Sequence, residues 1–178
     1  MTERNAVTTG LGARLDTLPD GPARELLAGC LAAPAWVDAL LAGRPHGDAE
    51  GWLAAGEVAF ATLTDDAVLA ALAAHPRIGD RPTGSGADAA SSRREQALVT
   101  QAADDVKAAI AAGNRAYEER FGRVFLIRAA GRSPAQILAE LRRRLRNDDD
   151  VELAQAREQL RQITALRLRR LLAEDAAT

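Results

Sequence analysis

Apolar residues recur at the three- and four-residue spacing of amphipathic helices along almost the whole of this 178-residue chain. Aromatic residues make up only 3% of it, so alanine, leucine and valine must fill the core. Alanine and leucine are strong helix formers, and this composition favours closely packed helices. The sequence therefore predicts an all-α fold, a single-domain helical bundle of about eight helices.

Proline, glycine and capping residues set the predicted helix boundaries. The clearest start is Ser133-Pro134-Ala135-Gln136, with serine as N-cap, proline at the first helical position and glutamine three residues after the cap. Thr64 is another predicted N-cap, and Gly113-Asn114 is predicted to end a helix. The predicted helices cover residues 22–31, 34–41, 48–60, 65–74, 92–112, 114–121, 134–147 and 151–173. The short apolar run at residues 124–127 is interpreted as extended.

The longest non-helical stretch of the interior is residues 75–91, which contain two prolines and several glycines. A flexible linker between two helical halves is one interpretation. Because the segments on either side are short and alike in composition, we interpret the stretch as a long loop within one domain. That domain spans residues 1–178, with its core from about residue 15 to residue 172. Long loops in compact domains are often functional.

Composition and charge exclude several classes of protein. The net charge of −2 gives no electrostatic case for binding nucleic acid or an anionic membrane. The single cysteine, Cys30, lies in a helical apolar pattern, as do Trp36 and Trp52, and all three are predicted core residues. One cysteine leaves no disulfide and no thiolate metal cluster. The sequence has no apolar run of the length of a membrane span or signal peptide, so we expect a cytoplasmic protein.

The arginine run Arg142-Arg143-Arg144, with Arg146 close by, flanks an apolar helix stripe. We interpret these arginines as a solvated helix face near the C-terminal end of a helix, where cations are favoured. A phosphate-binding or nucleic-acid-binding role is the alternative. The net charge and the scarcity of aromatic residues argue against nucleic acid.

The block His75-Pro76-Arg77-Ile78-Gly79 marks the start of the long loop. Histidine is the side chain whose ordinary pKa lies close to neutrality, which suits it to moving protons. His75 also closes an apolar helical run. The alternative to a catalytic role is therefore a structural one, in which His75 ends the helix and interacts favourably with the helix dipole. The chain's other histidine, His46, lies between proline and glycine and is interpreted as a loop residue.

Two ionisable residues lie on apolar helix stripes. Glu95 precedes Leu98 and Val99 by three and four positions, and Arg167 follows Ile163 where the spacing calls for an apolar residue. Burying an unpaired charge costs several kcal/mol, so each needs a partner. A substrate carboxylate matches the guanidinium fork of Arg167. The alternatives are a capping box for Glu95, and for Arg167 a surface-reaching side chain or a structural carboxylate partner.

Six blocks occur in a fixed order along the chain: His75-Pro76-Arg77-Ile78-Gly79, Ser92-Arg93-Arg94-Glu95-Gln96, Asn114-Arg115-Ala116-Tyr117-Glu118-Glu119-Arg120-Phe121-Gly122, Phe125-Leu126-Ile127, Arg144-Leu145-Arg146-Asn147 and Ile163-Thr164-Ala165-Leu166-Arg167-Leu168. In these blocks and their spacing the chain resembles the OHCU decarboxylase family. The resemblance extends over about residues 15–172. Enzymes of this family act on 2-oxo-4-hydroxy-4-carboxy-5-ureidoimidazoline (OHCU), late in urate breakdown.

The resemblance implies a single all-helical domain that forms a homodimer and uses no metal or organic cofactor. It implies a reaction that removes carbon dioxide from OHCU and leaves (S)-allantoin. By the same resemblance, His75 is the catalytic histidine and Glu95 its acidic partner. The residues implied to bind or line the substrate are Pro76, Ser92, Gln96, Phe125, Leu126, Ile127, Arg128, Ala129 and Arg167.

Two departures from the family pattern bear on the site. The family commonly has an aromatic residue after Phe-Gly, where this chain has Arg123, which puts the packing beside Phe125 in question. Arg128 and Ala129 match the family by spacing alone, so their contacts with substrate are expected to come from the backbone.

Two other classes of function remain open at the level of the sequence. One is a helical binding module for a heterocyclic acid, which binds without releasing carbon dioxide. The other is a metal hydrolase that uses His75, Asp80 and Glu95, a ligand set that is thin because one plausible histidine is available. No nucleotide-binding, zinc-protease or serine-hydrolase motif is present in the sequence.

Overall fold

The computed structural model describes residues 11–78 and 103–173, and this part of the chain contains eight helices and no strand. The predicted all-α class is confirmed. The helices are α1 (Leu11–Thr17), α2 (Asp20–Ala28), α3 (Pro34–Ala42), α4 (Ala49–Ala61), α5 (Asp65–Ala73), α6 (Asp104–Phe121), α7 (Pro134–Arg144) and α8 (Asp149–Ala173). Most of the loop predicted at residues 75–91 lies outside the described residues.

The chain divides into two compact units. The first comprises residues 1–63 and 165–178, and the second comprises residues 64–164. Helix α8 contributes to both, since the division falls within it. The organisation as a single domain stays a prediction. Among the described helices, none combines the length and the apolar character of a membrane span.

Capping chemistry sets helix starts where the sequence predicts them. Ser133 and Gln136 form the predicted capping box: the Gln136 N–H donates to Ser133 Oγ (3.2 Å), and the Ser133 N–H donates to Gln136 Oε1 (2.7 Å). Thr64 Oγ1 accepts from the N–H of Ala67 at the start of α5 (3.2 Å). The other comparable boundaries differ from the predicted ones by three residues or fewer.

The prediction that Gly113-Asn114 ends a helix is wrong, because α6 continues through both residues to Phe121. A Cβ atom at position 113 would lie 2.5 Å from Leu141 Cδ2, so the glycine lets α7 pack closely against α6. Asn114 is buried, and its side chain bonds outside its own helix. The predicted helix at residues 92–112 is also wrong as one element, since Ala103 is extended and caps the start of α6.

The core of the second unit draws on the loops as well as on the helices. It contains Ile78, which follows α5, and residues of the segment after α6. Its buried members are Ile78, Ile110, Tyr117, Phe121, Phe125, Ile127, Ala129, Ile137 and Leu141. Residues 124–129 form neither helix nor strand, so side chains from neighbouring elements must hold them.

The first unit confirms three predicted core residues. Trp36 and Trp52 are fully buried, and Cys30 is buried. The indole N–H of Trp36 donates to the Gly56 carbonyl (2.9 Å), which satisfies its polar atom inside the core. His46 lies in the loop between α3 and α4, with Nε2 2.8 Å from the Leu40 carbonyl and its ring edge-on to Trp52.

Helix α1 lies before the first helix predicted from the sequence. It is held by the loop between α3 and α4. Arg44 Nη1 donates to the carbonyls of Leu15 (3.1 Å) and Leu18 (2.7 Å), near the C-terminal end of α1. The Asp16 carboxylate accepts from the N–H groups of His46 (2.8 Å) and Gly47 (2.7 Å). These contacts join residues about 30 positions apart, so no local sequence pattern reports them.

Candidate active site

His75 lies just past the C-terminal end of α5 and is 8% exposed. Its Nδ1 donates to the Ala71 carbonyl one turn earlier (2.9 Å). A carbonyl oxygen only accepts, so Nδ1 carries a proton in both the neutral and the charged ring. The ring therefore gains and loses its proton at Nε2 while its orientation stays fixed.

The residues that follow His75 are anchored on α6 of the same unit. Arg77 donates from Nε and Nη2 to the two carboxylate oxygens of Glu118 (2.5 and 2.7 Å). This bond from Arg77 lowers the pKa of Glu118 below its ordinary value. Asn114 Nδ2 donates to the Ile78 carbonyl (2.9 Å), and Ile78 is buried. The two residues that follow Pro76 are thus anchored at two points on the same helix, α6.

The predicted substrate-lining residues form a segment of residues 125–129, here called the 125–129 segment. Phe125, Leu126, Ile127 and Ala129 are buried, and Arg128 is partly buried. Phe125, Ile127 and Ala129 share one core with Ile78. The structure therefore brings the His-Pro block and the 125–129 segment to the same core of the second unit.

A buried ionic network lies beneath the 125–129 segment. Arg144 is 1% exposed and Glu152 is fully buried; Arg144 donates from Nε (2.8 Å) and Nη2 (2.5 Å) to Glu152 Oε1. The hydroxyl of Tyr117 also donates to this oxygen, and Asn147 Nδ2 donates to Glu152 Oε2 (2.8 Å). Arg144 Nη1 donates to the Leu126 carbonyl (2.7 Å), so the network reaches the segment.

The prediction that the arginine run forms a solvated face is wrong for Arg144. Arg144 follows Leu141 by three residues, so it lies on the apolar face of α7. Glu152 precedes Ala156 and Leu160 by four and eight residues, which puts it on the apolar face of α8. The positions of Arg144 and Glu152 in the apolar spacing of their helices therefore indicate, from the sequence alone, that both residues are buried. Arg143 does face solvent, with 45% of its side chain exposed.

The single tyrosine of the chain gives a direct test of this network. Burial raises the pKa of Tyr117 to about 12; the hydrogen bond to Glu152 acts in the same direction, and the charge of Arg144 opposes it. Tyrosine in unfolded chains titrates near pH 10. The folded chain holds this proton more tightly, so the group's stabilising contribution is complete below about pH 10. That contribution is lost as the pH rises from about 10 to about 12.

We expect the ultraviolet absorbance of tyrosinate to stay absent from the native protein at pH 10 and to develop near pH 12 or together with alkaline unfolding. In denaturant, the same titration should have its midpoint near pH 10. Full ionisation near pH 10 in a protein that keeps its helical circular dichroism would contradict the buried network.

Arg123 replaces the aromatic residue that the family commonly has, and its place in the fold is defined. Its Nη2 donates to the Asp149 carbonyl (3.1 Å) and carboxylate (2.9 Å), and its guanidinium lies 5.3 Å from the centre of the Phe121 ring. Phe125 packs edge-on to Tyr117 and beneath the guanidinium of Arg144. The packing beside Phe125 is therefore complete without an aromatic residue at position 123.

Arg167 lies in α8, within the first unit, and is 3% exposed. Its predicted place on the apolar stripe is confirmed, and the surface-reaching alternative does not hold. Ser92, Glu95 and Gln96 lie outside the described residues, as does Asp80 of the metal alternative. The choice between a capping box and a site residue for Glu95 therefore stays a prediction.

A cleft of about 450 Å³ opens in the second unit, between α5 and the end of α6. Its lining residues are Leu69, Ala73, Glu118, Phe121, Gly122, Arg123 and Val124. No predicted site residue is among them. Within the described residues, no group of three histidine, cysteine or acidic side chains is placed to hold a metal ion.

These features define an all-helical protein with a histidine-centred candidate site in its second unit. The chain belongs to the OHCU decarboxylase family, whose sequence model matches residues 16–169. The resemblance stated from the ordered blocks is confirmed.

Three known proteins are similar to this chain. Over 112 residues, 61% of this chain, it is 36% identical to the uric acid degradation bifunctional protein TTL of Arabidopsis thaliana, of which it spans only 34%. An OHCU decarboxylase crystallised in the presence of (S)-allantoin matches with a TM-score of 0.73 and 22% identity, over 88% of this chain and 100% of that one. An (S)-allantoin synthase matches with a TM-score of 0.68 and 20% identity, over 90% of this chain and 54% of that one. At these identities, the two structural matches support the fold.

Proposed function

We propose that this chain catalyses the cofactor-independent decarboxylation of OHCU to (S)-allantoin in urate breakdown. Membership of the family over residues 16–169 supports the reaction. The observation that carries the proposal is the geometry of His75. Its Nδ1 donates to the Ala71 carbonyl, which leaves Nε2 as the nitrogen that can exchange a proton, and this supports a role in proton transfer.

In this proposal the chemistry depends on the substrate ring as well as on the protein. The carboxylate of OHCU is on a ring carbon that also bears a hydroxyl group. The bond to the carboxylate breaks, carbon dioxide leaves, and the electron pair is accepted by the adjacent ring C=N bond. The resulting enol then loses its hydroxyl proton and becomes the ring carbonyl of allantoin. His75 delivers a proton to one face of the adjacent ring carbon, the former C=N carbon that bears the ureido group, which gives a single enantiomer.

The remaining proposed roles orient the substrate and balance charge. Glu95 acts as the partner of His75 or anchors the ring and ureido N–H groups, and Arg167 steadies a substrate oxygen. Ser92 and Gln96 bond the substrate. Pro76 and the 125–129 segment line it, the latter partly through backbone groups. Polar groups held in place before the reaction stabilise developing charge without the cost of reorganising solvent.

The test generates OHCU from urate in situ and follows (S)-allantoin by circular dichroism, with and without the protein. We expect the protein to accelerate the signal and to give one enantiomer, because protonation in free solution has no preferred face. Equal traces with and without the protein would contradict the proposal. Binding of OHCU without release of carbon dioxide would favour the binding module, and loss of activity on chelation would favour the metal hydrolase.

We also propose that the chain works as a homodimer in the cytoplasm. The family resemblance supports the homodimer. The cytoplasmic location is the expectation drawn from the sequence. Sedimentation of the purified protein and imaging of the tagged chain test the two statements separately.

A further inference from the structure

Side chains hold much of the backbone of the 125–129 segment, and its last carbonyl, that of Ala129, accepts from the Arg132 N–H (3.0 Å). The segment forms no regular secondary structure. Two of its backbone groups bond to side chains of the second unit: Arg144 Nη1 donates to the Leu126 carbonyl (2.7 Å), and the Arg128 N–H donates to Gln159 Oε1 (3.0 Å). The two bonds come from different helices, α7 and α8, and they are two residues apart along the segment.

Arg144 is itself held rigidly. A guanidinium is planar and its donors form a fixed fork, so fixing one edge sets the direction of the other donors. Glu152 holds the edge formed by Nε and Nη2, which directs Nη1 to the Leu126 carbonyl. The face of the same guanidinium lies 4.7 Å from the centre of the Phe125 ring. One buried side chain thus fixes two successive residues of the segment.

We propose that Arg144 and Gln159 are positioning residues for the reaction. They hold the backbone of the 125–129 segment where it lines the substrate, without touching the substrate themselves. The inference rests on the proposed function, since lining the substrate is part of that function. A displacement of about 1 Å at a reacting centre can lower the rate by about 100-fold, so a looser segment has a kinetic cost.

Gln159 offers the cleaner test, because it is neutral and partly buried. Gln159→Met removes the acceptor of the Arg128 N–H at similar size, and we expect kcat to fall about tenfold or more. Gln159→Glu keeps an acceptor at the same place and is expected to recover most of that loss. Thermal unfolding of both variants should stay close to that of the unmodified protein.

Arg144→Lys tests the other contact. It keeps a positive charge beside Glu152 but loses the planar fork that reaches the Leu126 carbonyl, and we expect kcat to fall about 10- to 100-fold. Arg143→Lys, at the exposed neighbouring position, is the matched control and should leave kcat and KM unchanged. Faster amide exchange in the 125–129 segment of Arg144→Lys and Gln159→Met would report the loosening directly.

The measurements separate this inference from the proposed function. If the unmodified protein does not turn over OHCU, the proposed function is wrong and the inference fails with it. If the unmodified protein is active and folded Gln159→Met has unchanged kcat, KM and amide exchange, the inference is wrong while the function stands. Gln159 also decides the matter if Arg144→Lys does not fold.

Discussion

Replacing His75 by asparagine is expected to lower the rate of OHCU decarboxylation by about 10²- to 10⁴-fold, the range that general acid–base catalysis contributes. An asparagine amide can still donate to the Ala71 carbonyl, so the local hydrogen bond is retained. It cannot exchange a proton near neutral pH. The loss should therefore appear in kcat, with the helical circular dichroism and the unfolding temperature little changed.

His46→Asn is the control, since His46 is the chain's other histidine and lies in the loop between α3 and α4 of the first unit. We expect it to keep its rate per folded molecule. A fully active His75→Asn variant would remove His75 from the mechanism. Equal losses in both variants would indicate that histidine replacement acts through stability.

Arg144→Leu is expected to lower the free energy of unfolding by about 3–5 kcal/mol, because it leaves the fully buried carboxylate of Glu152 without its counter-charge. That loss is comparable to a large part of the stability of a typical domain. Glu152→Leu should cost a similar amount, since it leaves the guanidinium of Arg144 buried and uncompensated. Denaturant unfolding followed by circular dichroism measures both changes.

The double variant Arg144→Leu with Glu152→Leu should be more stable than the sum of the single losses predicts, because neither charge is then left alone. Full recovery is not expected, because the Leu126 carbonyl loses its donor. Arg142→Leu, at an exposed position of the same helix, is the control and should change stability by about 0.5 kcal/mol or less. Strictly additive losses at positions 144 and 152 would show that the two residues do not form one unit.

Helix starts could be predicted from the sequence because their chemistry is local. Ser133 and Gln136 satisfy the first N–H groups of α7 within four residues of chain, and the pattern is visible without a tertiary structure. The continuation of α6 through Gly113 could not be predicted in this way. There the glycine serves the approach of Leu141, a residue 28 positions away, and tertiary packing overrides helix propensity.

The candidate site was predicted in part. The ordered family blocks predict His75 and the 125–129 segment as site residues. The structure places Ile78, three residues after His75, in one core with Phe125, Ile127 and Ala129, and the roles of these residues stay predictions. Arg144 and Glu152 were missed as buried residues because a run of arginines suggests a solvated face when it is judged by composition. Judged position by position, Arg144 continues the apolar spacing of α7. A charged residue at an apolar position was the informative signal here, as it was at Arg167.

The hydrogen bonds of Arg44 affect how the first unit unfolds locally. A helix of seven residues, such as α1, is marginal in water by itself. Arg44 bonds carbonyls near its C-terminal end, and Asp16 of α1 in turn holds the backbone of the loop that carries Arg44. Helix α1 and the loop between α3 and α4 thus hold each other through these hydrogen bonds, so unfolding of one removes bonding partners of the other. We therefore expect helix α1 and the loop between α3 and α4 to open together, although 26 to 31 residues separate their bonded groups along the chain.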